Sequence, residues 1–321
     1  MTISEPKCSP TAAPSISAPT ARRDSNFLLK SRLIFFGKLA VTAAVLFLLV
    51  HTIRPSTLVA AFDSANLAYL LMAATLLAPN LLVQLAKWRF LLKLANRSVS
   101  LGTAYRSLMV GFALGFVTPG RLGEVGRALY VKEISQTKTF ALAVMDKLTN
   151  LIITLVVGLT GLLAFEALNL NPTLRASLIM ALTLLAGFIL WSLLGRNVAR
   201  ASGRFTRIYD FSRKHLSILW GFSILFYTVY LTQFTLLLLN FQTASFADLP
   251  VAASSVFLVK TVLPISFGDL GIREGASVFF MQKVGVAPAA AFNAALLLYL
   301  LNVAFPSLLG LPILLRTRRS P

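Results

Sequence analysis

The chain has 321 residues, 57% of them hydrophobic and 13% charged, with 30 Lys and Arg against 11 Asp and Glu for a formal charge of +19. A mean hydropathy of +0.78 and several uninterrupted apolar runs exclude a soluble globular domain and define an integral membrane protein. The basic residues lie between the apolar runs rather than on one polar face, which excludes nucleic acid as a partner and matches the bias that orients membrane proteins.

Residues 1–31 are rich in Ser, Pro, Ala and Thr, contain the lone Cys8 and show no apolar periodicity. They read as a disordered cytoplasmic tail, and a single cysteine allows no internal disulfide. Residues 32–316 then form a single transmembrane domain. A bilayer core needs about 20 apolar residues as helix, and six stretches meet that length: 33–53, 67–92, 140–165, 174–195, 215–240 and 291–315. The first follows a long leader and is long enough to cross, so it is read as a span and not as a cleaved signal.

Charge sets the orientation. Basic residues crowd the tail and first span (Lys7, Arg22, Arg23, Lys30, Arg32, Lys38), the linker after the fourth span (Arg196, Arg200, Arg204, Arg207, Arg213, Lys214) and the C-terminal end (Arg316, Arg318, Arg319). These regions, both termini included, are expected in the cytoplasm. The connections 54–66, 166–173 and 241–250 hold only Arg54 among basic residues, with Asp63, Glu166 and Asp248, and are expected outside. Trp88, Trp191 and Trp220 fall near cytoplasmic span ends and Tyr69 near an external one, as interface-seeking rings would. Lys87 and Arg89, which close the second span, are read as interfacial anchors; Asp146 and Lys147 open the third.

Two stretches do not fit as simple spans. Residues 103–131 leave and re-enter basic regions, so both ends are expected on the cytoplasmic side; 251–286 have both ends on the external side. Each reads as a re-entrant hairpin of two half-helices, the two entering from opposite faces. Their centres share a motif, TPGRLGEVGR at 118–127 and SFGDLGIREG at 266–275, in which Thr118, Gly120, Leu122 and Gly123 align with Ser266, Gly268, Leu270 and Gly271 at constant offset. Proline marks both breaks (Pro119, Pro264). The order span, hairpin, span thus occurs twice with opposite orientation, in halves of about 32–165 and 174–315. The fold class is an all-α integral membrane protein of about six spans and two opposed hairpins, an inverted-topology repeat.

Backbone freed by a glycine-rich break must face protein or a water-filled cavity, because hydrocarbon cannot satisfy it. The hairpin tips are therefore expected to line a polar interior, where a helix starting at the tip offers free N–H groups to an anionic headgroup and glycine permits close approach. Candidate substrate-binding residues are Thr118, Gly120, Arg121, Gly123, Glu124 and Arg127 at the first tip, and Ser266, Gly268, Asp269, Gly271, Arg273 and Glu274 at the second. Arg121 with Glu124 and Arg273 with Glu274 read either as headgroup contacts or as buried structural ion pairs. Lys260, in the second hairpin's incoming arm, is either a headgroup contact or a snorkelling side chain. The sequence has no GxSxG elbow, P-loop, HExxH or His/Cys cluster; His51 and His215 stand apart, so no catalytic residue, metal or cofactor is expected.

At these residues the chain resembles the transmembrane region of the lysylphosphatidylglycerol synthase family, often called flippase-like proteins. The likeness rests on Lys87-Trp88-Arg89, Pro119 to Arg127, Asp146-Lys147 and Leu263 to Gly275, and runs over about residues 30–316. It implies a bacterial inner-membrane protein whose partner is a membrane lipid or glycolipid, moved across the bilayer; no soluble transferase segment is present, so synthase activity is not implied. Asp269 stands where many relatives have glycine and adds a negative charge at the tip. The alternative is a non-catalytic subunit that presents a lipid to a partner transferase. A homodimer is compatible with either.

Overall fold

The computed structural model describes residues 47, 51, 55–63, 65–118, 120–165, 170–194, 212–241, 247–263 and 269–317. The tail 1–31, nearly all of the first predicted span at 33–53, Glu166, Pro119, Pro264, Ser266 and Gly268 lie outside the described residues. Those described are helical, with no strand among them.

In chain order the helices are α1 (Pro55–Asp63), α2 (Leu67–Thr75), α3 (Leu77–Ala95), α4 (Leu101–Phe116), a 3₁₀-helix (Leu122–Tyr130), α5 (Gln136–Ala164), α6 (Pro172–Leu194), α7 (Arg213–Phe241), α8 (Asp248–Val262), α9 (Ile272–Gln282), α10 (Pro288–Tyr299), a π segment (Leu300–Ala304) and α11 (Phe305–Thr317). Local chemistry explains several starts. The Asn66 side chain accepts the Ala68 N–H at 3.0 Å to cap α2, the Ser100 hydroxyl accepts the Thr103 N–H at 3.0 Å to cap α4, and Pro288 opens α10 where its missing N–H costs nothing. Five stretches are long and apolar enough to cross a membrane: Leu67–Ala95, Gln136–Ala164, Pro172–Ser192, Arg213–Phe241 and Pro288–Arg316. They coincide with five of the six expected spans.

Both anticipated hairpins are broken at their centres, α4 before the 3₁₀-helix and α8 before α9. The first departs from expectation in its second arm, which is 3₁₀ and not α. Gly123 and Gly126 weaken the α-helix there, and a period of three stacks Arg121, Glu124 and Arg127 on one face. Arg121 and Asp269 occupy the same place in the two motif copies, and they are the two non-glycine residues with left-handed backbone among those described (φ 55° and 67°). The motif copies therefore share a backbone turn as well as residue types.

The halves are packed crosswise. Besides its own 3₁₀ arm, α4 of the first half packs chiefly on α11 of the second, while α8 of the second half packs chiefly on α5 of the first. Small residues permit both approaches. A Cβ on Gly310 would collide with the carbonyl of Met109, and one on Gly158 would sit 2.7 Å from Leu258 Cβ. Gly158 and Gly310 stand equally far from the starts of their spans, Gln136 and Pro288. Ser307 ties the first of these seams by donating to the Phe112 carbonyl at 3.0 Å. The resulting core has one cluster around Phe234, Phe257, Met281 and Leu298 and another around Trp88, Leu92, Leu108 and Leu142.

Two of the three tryptophans face the bundle interior. Trp88 is wholly buried with its indole N–H donated to Ser107 at 2.8 Å, and Trp220 is buried with its N–H on Ser192 at 3.0 Å. Only Trp191 is well exposed, on α6, a helix that buries almost nothing. An indole can satisfy its one donor with a neighbouring serine as readily as with water, so position near a span end did not decide which way these rings face.

Candidate functional site

Polar side chains inside the bundle form two groups. The first is a hub between α3, the 3₁₀-helix and α5. Lys87, expected at the interface, is 2% exposed and points inward, where its ammonium lies 3.0 Å from Asp146 and donates to Thr149 (2.8 Å), Asn150 (2.7 Å), Ser223 (2.9 Å) and the Asp146 carbonyl (3.1 Å). The other Asp146 oxygen pairs with Arg127, whose guanidinium stacks 3.9 Å from the Trp88 ring centroid. Lys87 and Trp88 follow one another on α3, so both face the bundle while Arg89 turns partly outward. A buried cation with this many acceptors is a structural anchor, which corrects the reading of Lys87 as interfacial. Arg127, a candidate for headgroup binding, is spent on this hub.

The second group joins the hairpin tips. At the first, Glu124 is buried and pairs with Arg121 at 2.5 Å and with Lys147 of α5. Thr118 donates to the Leu114 carbonyl at 3.0 Å and accepts the Gly123 N–H at 2.7 Å. The amide expected to be free for a ligand is thus taken within the tip. Gly123 is small because α4 needs the space: a Cβ there would meet the Leu114 carbonyl. Gly120 supplies the turn itself, at φ 58°.

At the second tip, Glu274 is fully buried and accepts the Gly271 N–H at 2.6 Å, capping α9. Gly271 has φ 85°. Here too an amide at the helix start is taken from within. Arg273 is fully buried, yet none of its nitrogens has a hydrogen-bond partner among the described residues; Asp269 is 3.9 Å away and the Tyr299 ring 5.3 Å from its centre. The expected Arg273–Glu274 pair is replaced by this looser contact with Asp269.

The two tips meet. Arg121 lies within electrostatic reach of Asp269, Arg273 and Tyr230, and Lys147 within reach of Arg121, Asp269 and Lys260. Beside the first tip is a partly open cavity of about 80 Å³, with Arg121 the tip residue on its wall. The first half contributes Asn80, Gln84, Arg121 and Thr154 to its wall; the second contributes Phe226, Tyr227, Tyr230, Phe257, Lys260, Thr261 and Asn302. Lys260 points over the faces of Tyr230 and Phe257, at 5.1 and 5.5 Å. Asn302 sits in the π segment, a distortion common at functional sites, and donates to Gln233 at 2.8 Å.

Of the expected site residues, the structure brings Arg121, Lys260, Asp269 and Arg273 together, with Glu124 directly behind Arg121. Thr118, Gly120, Gly123, Gly271 and Glu274 shape the tips, and Arg127 belongs to the hub. Asn80, Gln84, Tyr227, Tyr230 and Asn302 were missed. Their signal was present, since amides and tyrosines inside spanning segments are costly unless they face an interior.

An all-α, multi-pass membrane protein with a partly open polar cavity inside its helical bundle is the class these features define. Residues 35–310 match the lysylphosphatidylglycerol synthase TM region, and the chain belongs to that family. No curated protein sequence matches it.

Proposed function

We propose that this protein is a non-enzymatic flippase or transporter of the bacterial inner membrane, which moves a lipid with a polar or charged headgroup across the bilayer. The observation that carries this reading is the cavity: a partly open chamber walled by residues of both halves, with Arg121 and Lys260 on its wall. Charged and amide groups in such a place are expensive and mark pathways. In this reading the two hairpins are re-entrant from opposite faces, the termini are cytoplasmic, and the halves are an inverted repeat around the chamber.

Three pairings support the repeat. Arg121 and Asp269 share the left-handed turn, and Gly158 and Gly310 share the helix crossing. Lys87 bonds Asn150 as Gln233 bonds Asn302, each residue standing as far into its span as its counterpart.

The test is reconstitution of purified protein in liposomes with a fluorescent lipid whose outer-leaflet fraction can be quenched. Transbilayer movement should rise above that of empty liposomes. Arg121→Gln should slow it at least tenfold in protein that still folds and inserts, equivalent to about 1.4 kcal/mol of transition-state stabilisation. Movement no faster than in empty liposomes under any ion gradient would replace this reading by that of a lipid-presenting subunit of a partner enzyme.

A further inference from the structure

Buried polar atoms almost always find partners. Among the described residues, five of the fifteen atoms without one belong to residues lining one cavity. Asn80 Nδ2, Tyr227 Oη, Tyr230 Oη, Asn302 Oδ1 and Arg121 Nε have no partner among the described residues, and all five residues line the cavity. Asn80, Tyr227, Tyr230 and Asn302 are each more than nine-tenths buried. Both a donor amide and an acceptor amide are represented, together with hydroxyls that can serve either way. Such a set suits neutral hydroxyl groups. Phe226 and Phe257 supply apolar faces beside it.

The charges at the tip end have a different preference. Four cations, Arg121, Lys147, Lys260 and Arg273, face three carboxylates, Glu124, Asp269 and Glu274. Glu124 is shared by two cations, and Glu274 is held by the Gly271 amide. Arg273 is wholly buried, with no hydrogen bond among the described residues and a loose contact with Asp269. Arg121 and Lys260 are the two of these cations on the cavity wall, where an arriving anion would meet them. The chamber has no carboxylate left over for an arriving ammonium.

We infer that the chamber is built for a phosphate ester bearing an uncharged, hydroxyl-rich group, its phosphate between Arg121 and Lys260 and its hydroxyls on Asn80, Gln84 and Asn302, and that it rejects the aminoacylated headgroup in the family's name. This inference rests on the proposed lipid-handling role and specifies its substrate class. A glycerol phosphate lipid and a sugar phosphate on a polyprenyl carrier both present this chemistry.

The test is equilibrium binding to the full chain in lipid-free micelles, read by native mass spectrometry, with five probes: phosphatidylglycerol, polyprenyl-phosphate glucose, phosphatidic acid, glucosyl diacylglycerol and lysylphosphatidylglycerol. The tighter of the first two identifies the source of the headgroup. That probe should bind at least tenfold more tightly than lysylphosphatidylglycerol or glucosyl diacylglycerol, and at least threefold more tightly than phosphatidic acid. Lys260→Met should weaken the phosphate probes at least fivefold and leave glucosyl diacylglycerol unchanged, whereas Gln84→Leu should weaken the best probe and leave phosphatidic acid unchanged. The wild-type series needs no variant to fold. Lysylphosphatidylglycerol binding as tightly as the best probe, or phosphatidic acid equalling it, overturns the inference. Because binding is read without transport, the expected order in a protein that moves no lipid would sink the transport reading and leave this one standing.

Discussion

Asp146 is the residue whose loss the structure predicts most sharply. Its two oxygens hold two cations that are 2% and 3% exposed, Lys87 and Arg127. In Asp146→Leu both would remain buried, but they are not equally provided for. Lys87 keeps four neutral acceptors within 3.1 Å. Arg127 keeps only the face of Trp88, a contact that contributes up to about 2 kcal/mol when desolvated. Breaking a buried pair costs about 3–5 kcal/mol, and most of that loss should trace to Arg127. Consequently Arg127→Leu combined with Asp146→Leu should cost less than the sum of the two single changes, with a coupling of about 2 kcal/mol. Unfolding in mixed dodecylmaltoside–dodecylsulfate micelles, followed by tryptophan fluorescence, measures each corner of the cycle, and Trp88 reports from inside the hub. Additivity within about 0.5 kcal/mol would refute the reasoning.

Gly161→Ala and Gly310→Ala should each lower stability in the same assay by about 1–3 kcal/mol, since the new methyl meets Ser254 and the Val251 carbonyl in one case and the Met109 carbonyl in the other. Gly187→Ala, which meets nothing within 4 Å, should be neutral or slightly stabilising. At Asp269, φ 67° is tolerated by Asn but not by a β-branched residue; Asp269→Asn should melt like the parent and Asp269→Val at least 1 kcal/mol less stably, and equal melting would deny the left-handed turn. For orientation, Ser202→Cys and Ser320→Cys in a Cys8→Ser background should be shielded from an impermeant thiol reagent in intact cells, while Ser56→Cys and Thr243→Cys react. Labelling of Ser202→Cys from outside would reverse the topology.

Much of this architecture was readable from the chain because membrane helices announce themselves by composition, and because the motif at 118–127 is repeated at 266–275. What was not readable is the direction in which polar residues face. Lys87 and Trp88 lie at the end of an apolar run, where hydropathy alone treats them as anchors; only the packing of α3 on α5 and α7 turns them inward. The tips were located correctly as turns, yet their free amides could not be known to be occupied, since Thr118 and Glu274 reach them through local geometry and not through spacing. The chamber's amides escaped notice because Asn80, Gln84 and Asn302 are isolated in sequence and converge only when the halves are assembled.

The crosswise packing of the halves has a consequence for biogenesis. The first hairpin arm, α4, leaves the ribosome long before α11, the helix on which it finally rests. Until the last helix is inserted, Met109, Phe112 and Ala113 lack the partner that closes over them. The first hairpin therefore waits for its final partner through most of synthesis, and insertion of α11 is the step that closes this seam.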